Sequence, residues 1–306
     1  MSNKRRTRAP QPQDLLNGGL TADEAVQMRE MLAASGAPAY VLDAIRPGVD
    51  LLNLLAEAER NAPILEIPEL IAELGDALED AFRGKGDPFY AEATILELLG
   101  ALRSAYPGQS VADDTPALVA KVAELIEHAE RAATPEALVL LRVVGLHGPD
   151  ESRPAAAGAA DRLVAGGVTE PAWCTQIGRP TVVESFGYGD IVGSQESISV
   201  TFAHGRKRHV VSVLIDYDLG GGVKDCWLSS EATKVKAQCR SLGRNPFSRY
   251  SDHSVGEGLR ILRAALAAEP CPEQPDQLQD TAMSLPLLRQ RVALLEQSMS
   301  TTDKVG

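Results

Sequence analysis

Asp216, Asp218 and Asp225 lie close together with Lys224 among them, in the run Val213-Leu214-Ile215-Asp216-Tyr217-Asp218-Leu219-Gly220-Gly221-Gly222-Val223-Lys224-Asp225-Cys226-Trp227. Carboxylates on neighbouring strands hold a hard cation such as magnesium or manganese, which polarises a phosphate and activates water or a hydroxyl. Lys224 would then stabilise developing negative charge. This is the arrangement of a metal-dependent nuclease or nucleotidyltransferase. The competing expectation is plainer: acidic residues beside a triple glycine finish strands and cap turn amides.

Strand register decides between these readings. A turn at Gly205 to Arg208 with His204 opposite His209 sets Phe202 against Val211, Val200 against Val213 and Ile198 against Ile215 on one apolar face. A turn at Leu219 to Gly222 with Asp218 opposite Val223 sets Asp216 against Asp225. Those like charges repel, and the offset would come from Lys224 after a register shift, another basic group, a raised carboxyl pKa or a cation. The triple glycine lacks the Lys-Ser or Lys-Thr of a phosphate loop and reads as a tight turn.

The other reactive side chains form no constellation of their own. Arg206, Lys207 and Arg208, flanked by His204 and His209, read as an exposed cationic hairpin tip. A second basic cluster, Lys4, Arg5, Arg6 and Arg8, opens the chain. With a net charge of -12 over 306 residues, nucleic-acid binding would have to be local, and none is expected. Cys174, Cys226, Cys239 and Cys271 show no zinc spacing and read as reduced thiols, with Cys226 on the apolar face. No cofactor is expected unless the three aspartates bind a metal.

The elements that must position these residues change character along the chain. Residues 1–19 read as a disordered basic arm, and residues 20–167 as a helical region. Thr21 and Glu24 form a capping box. Asp87-Pro88, Thr115-Pro116 and Thr134-Pro135 each pair a side-chain cap with proline at the first helical position. Stripes such as Leu70, Ile71, Leu74, Leu78 and Phe82, or Leu118, Val122, Leu125, Ile126 and Ala129, recur at helical spacing. An irregular bundle is the expected packing, with a HEAT-like array as the alternative.

After Gly166-Gly167 the pattern changes to a period of two. Strands are expected over 181–186, 197–203, 209–217 and 223–228, within a sheet-plus-helix region spanning 168–268. Helices opened by Ser229 or Ser230 and by the Ser254/Glu257 box should together cover one face of the sheet. Residues 269–283 read as a linker. In a final helix over 284–300, Leu285, Leu288, Val292, Leu295 and Met299 should dock back on the body. The fold class is therefore α+β: a helical bundle followed by a small antiparallel sheet with flanking helices.

Tyr188-Gly189-Asp190 through Gln195-Glu196-Ser197, followed by the run from Val213 to Trp227, resembles a family of uncharacterised proteins of high-GC actinobacteria. The similarity extends from about Ala155 to Leu295, with a looser helical region before it. The resemblance implies a self-consistent unit in a bacterial cytoplasm and carries over no catalytic residue. No export signal follows Arg5-Arg6, and no stretch approaches the ~20 apolar residues of a membrane span. The leading expectation is a non-enzymatic, cytoplasmic interaction protein that binds another protein through helical grooves or the sheet edge. The metal-dependent phosphoryl-transfer enzyme is the alternative and a nucleic-acid-associated protein the third reading.

Overall fold

The computed structural model describes residues 20–34, 42, 45–48, 67–83, 86–106, 114–268 and 278–302. The expected arm over 1–19 and most of the expected linker lie outside them, as does Cys271. Two compact units divide the chain, residues 1–65 and 66–306.

In the first unit, α1 spans Ala22–Ala34. The capping box forms: Thr21 N–H donates to Glu24 Oε2 at 2.9 Å, and Glu24 N–H donates back to Thr21 Oγ1 at 3.3 Å. Leu20, Ala25 and Ile45 make a small core with Met28 and Leu32, while Val26 and Met31 face solvent.

The second unit opens with helices α2 (Ile67–Ala77), α3 (Glu79–Phe82), α4 (Pro88–Ala105), α5 (Pro116–Ala132), α6 (Pro135–His147) and α7 (Arg153–Ala165). At the starts of α4, α5 and α6, the side chains of Asp87, Thr115 and Thr134 accept from the N–H groups of Tyr90, Leu118 and Ala137, with proline next in each case. Apart from Glu136, Arg142 and His147, α6 is apolar round its circumference, and it buries Leu138, Val139, Leu140, Leu141, Val143 and Val144. Such a helix must sit inside a bundle. It packs on α2, α4, α5 and α7, whereas a unit in a solenoid touches only its neighbours.

The sheet comprises β1 (Thr181–Asp190), β2 (Gln195–His204), β3 (Lys207–Asp216), β4 (Gly222–Ser229) and β5 (Ser248–His253), all antiparallel, in the order β4-β3-β2-β1-β5. Helix α8 (Ala232–Leu242) precedes β5, and α9 (Val255–Ala267) and α10 (Leu278–Thr302) follow it. α10 therefore begins inside the segment expected to be linker. No helix among the described residues is long and apolar enough to cross a membrane.

The helices after the sheet do not share one face, as their order alone suggested. Ala232 and Cys239 of α8 pack with Phe186 and Val210. Leu259, Ile261 and Leu262 of α9 and Leu285, Leu288, Val292 and Leu295 of α10 pack on the other face with Ile198, Val200, Val213 and Cys226. The cause is β5, which pairs with β1 and carries the chain along the sheet edge between the two helices.

α4 joins the helical and sheet regions. Its Ala91, Ile95 and Leu99 enter the helical core, while Phe89 and Leu96 enter the core under the sheet. The expected boundary at residue 167 thus falls between two cores inside one compact unit.

Candidate functional site

The hairpins place the predicted site residues differently from the expected register. β2 and β3 join through a two-residue turn, Gly205-Arg206, with His204 opposite Lys207. Phe202 consequently faces His209, Val200 faces Val211 and Ile198 faces Val213, a slip of two residues. A slip of two conserves which side chains share a face. The apolar face therefore survives with different partners.

In the next hairpin, Leu214 faces Asp225 and Ile215 faces Val223, so Lys224 is the extra residue of a β-bulge. Asp216 lies opposite Gly222, not Asp225. Lys224 Nζ donates to Asp216 Oδ2 at 2.7 Å, as does Gln195 Nε2, and Leu219 N–H donates to Oδ1 at 3.2 Å. The hydrogen bond from Lys224 holds the Asp216 carboxyl below the usual range, assisted by Gln195. The bulge resolves the like-charge conflict by turning Lys224 onto Asp216.

The three aspartates are not brought together. Asp225 accepts from Cys226 N–H at 2.7 Å through Oδ1, and Asp218 stands exposed in the turn. Gly220 and Gly221 take φ of 100° and 78°, where a side chain would be strained, and Gly221 N–H donates to Asp216 C=O at 2.8 Å. The glycines form a tight turn. Among the described residues, no three His, Cys, Asp or Glu side chains are grouped to hold a metal.

The histidines of the expected cationic tip are buried. Arg206, Lys207 and Arg208 are exposed, and Lys207 Nζ reaches Asp87 Oδ2 at 2.9 Å. His209, however, stacks on Phe89 with ring centroids 4.0 Å apart and planes 8° from parallel. Burial, with the nearby Arg291 charge second, pushes its imidazole down to about 2. It is a neutral core ring because Phe89 of α4 covers this end of the hairpin.

Beneath it lies a charge cluster that no sequence motif announced. Glu92 of α4 is wholly buried, and Arg291 of α10 donates to its Oε2 at 2.5 Å. His147 Nε2 stands 3.2 Å from Glu92 Oε1, Gly178 N–H donates to Oε1 at 3.0 Å, and His204 Nε2 lies 3.9 Å from Oε2. Burial alone would raise the Glu92 carboxyl. Arg291 together with the histidine contacts outweighs it and holds the group well below the usual range. Both charges were detectable in principle, since Arg291 lies between Leu288 and Leu295, and Glu92 between Phe89 and Leu96, within apolar stripes.

The accessible chemistry sits at the other end of the sheet, where three turns meet. Ile191 N–H donates to Phe247 C=O at 3.0 Å, and Tyr217 N–H donates to Ser194 C=O at 2.8 Å. Ile191, Val192 and Phe247 are 61%, 83% and 70% exposed, and Tyr217 and Leu219 are exposed on the turn between β3 and β4. Beside these turns, between the sheet and α9, opens a cleft of about 480 Å³ lined by Glu196, Tyr217, Arg249, His253, Glu257 and Arg260 among others.

Within the cleft, Tyr217 Oη donates to Glu196 Oε2 at 2.9 Å. Partial burial and the Glu196 carboxylate push this phenol up to about 12, so it is a donor at neutral pH. His253 lies between two carboxylates, with Nε2 3.7 Å from Glu196 and Nδ1 3.5 Å from Glu257. Sequence reasoning missed this site because its residues come from β2, β3, β5 and α9, and β5 itself, Ser-Arg-Tyr-Ser-Asp-His, lacks the apolar alternation that marks a strand. Compared with protein-family models, curated proteins and solved structures, the chain has no significant match.

Proposed function

We propose that this chain is a non-enzymatic protein-interaction module that docks its partner on the turn end of the sheet. One observation carries the reading: Ile191, Val192 and Phe247 expose most of their apolar surface on two turns tied by the Ile191 to Phe247 backbone hydrogen bond. Single exposed apolar residues are ordinary, but a contiguous group of large ones marks a contact surface. The occupant is a protein presenting a complementary apolar segment, in a reducing compartment where Cys174, Cys226 and Cys239 persist as buried thiols.

The test places a photo-crosslinking amino acid at Val192 in the native host. A discrete crosslinked species is expected, and it should disappear when Ile191→Ser and Phe247→Ser are added. Failure to form such a species, or its persistence in the substituted chain, would exclude this surface as the docking site.

A further inference from the structure

We infer that the cleft between β5 and α9 binds a small anion through Arg249 and Arg260, its recognised chemistry being a phosphate or carboxylate group. The inference does not rest on docking at the turns, because the cleft has its own charge pattern.

Consider the charges that line it. Glu196 accepts from Tyr217, Glu257 stands beside His253, and Asp252 accepts from Tyr250 Oη at 2.5 Å and pairs with Lys236 at 3.3 Å. Asp252 thus has a cationic partner, while Glu196 has a hydrogen-bond donor and keeps its charge. Arg249 and Arg260 are exposed, and neither forms an ion pair or side-chain hydrogen bond among the described residues. The cleft carries both signs of charge, and its two guanidiniums are the lining cations without a carboxylate partner among the described residues.

A guanidinium presents its N–H groups as a planar fork that fits a carboxylate or phosphate with two parallel hydrogen bonds. Two such groups in one concavity make a clamp for an anion. His253 adds a second, independent feature. Its ring is 8% exposed, and Nε2 is buried without a hydrogen-bond partner. A buried polar atom left unpaired is costly, and a ligand hydroxyl would satisfy it beside the Glu196 carboxylate 3.7 Å away. The volume of about 480 Å³ suits a compact polar metabolite.

The experiment is isothermal titration of the full chain, at constant ionic strength in chloride buffer, with inorganic phosphate in one arm and succinate in the other. Saturable binding of at least one probe is expected. It should weaken by about tenfold or more in the Arg249→Gln, Arg260→Gln double variant and remain unchanged in Arg244→Gln, an exposed arginine that does not line the cleft. Binding of phosphate alone assigns a phosphoryl ligand, binding of succinate alone a carboxylate, and binding of both a general anion clamp. Absence of saturable binding by either probe overturns the inference, as does full affinity in the double variant. If the glutamine variant melts at a lower temperature than wild type, Arg249→Lys with Arg260→Lys replaces it. That pair keeps both charges and loses the forks, and it should also bind more weakly, unchanged affinity overturning the clamp.

Discussion

Arg291 reaches Glu92 across 199 residues of sequence, and their side chains meet at 2.5 Å with neither more than 1% exposed. The pair pins α10 onto α4, the helix that enters both cores of the second unit. Its guanidinium also lies 5.7 Å from the Phe202 ring centroid, so the same residue touches the sheet. Desolvating two charges costs several kcal/mol per ion, and mutual attraction offsets this only when both partners remain.

Removing one partner should therefore be worse than removing both. Arg291→Met alone is expected to destabilise the second unit by about 3–5 kcal/mol, because it leaves Glu92 buried without its countercharge. Glu92→Gln with Arg291→Met should recover most of that loss, because the amide removes the charge and still offers an oxygen to the Gly178 N–H. Urea unfolding of the single and double variants measures the difference, and additive losses would show that the pair is not coupled.

The stacked imidazole of His209 sets a pH dependence of definite sign. Its folded pKa is about 2, against 6.5 for the ordinary group, so between these values the unfolded chain binds a proton that the folded chain does not. Stability is unaffected by this group above pH 6.5 and falls as pH drops below it, by up to about 1.4 kcal/mol per pH unit. Glu92 acts in the same direction below pH 4.5, since its folded pKa is also depressed. His209→Phe keeps a ring against Phe89 and removes the titration. Urea midpoints between pH 5 and 7 should vary less with pH in that variant than in wild type.

The approach of α9 to the sheet predicts a substitution that violates helix propensity. Replacing a glycine inside a helix by alanine ordinarily stabilises by about 1 kcal/mol. At Gly258, however, a Cβ would stand 2.3 Å from Ser185 Oγ and 3.0 Å from Ser185 Cβ. Gly258→Ala should lower the melting temperature by pushing α9 away from β1, and the cleft beside that contact should change with it. Thermal unfolding, with Gly75→Ala as the open-space comparison, checks this.

Much of the local structure was legible because its causes are local. The caps at Asp87, Thr115, Thr134 and Ser254 act over three residues, and each accepts the amide its position implies. Alternation placed Ile198, Val200, Val213 and Cys226 on one apolar face whatever the register. Register itself was less legible. The apolar match tolerated a slip of two, and what selected it was a turn with Gly205 at φ 62°, which let Lys207 and Arg208 join β3. Lys224 brought round by a register shift is one of several expected ways to relieve Asp216, and the bulge that delivers it is visible only in the paired strands. Strand β5 went unseen because an edge strand of polar residues has no apolar period to read.

By itself, then, the sequence determined where helices start, which strand side chains share a face, and that helices would give way to an antiparallel sheet. These follow from hydrogen bonds and side-chain periods spanning a few residues. Tertiary structure alone decided the two features with chemical content: the buried meeting of Glu92 and Arg291, and the gathering of Arg249, His253 and Arg260 in a cleft. A charge has no partner until the chain closes, and its effect on stability or binding depends on solvent exclusion by elements distant in sequence.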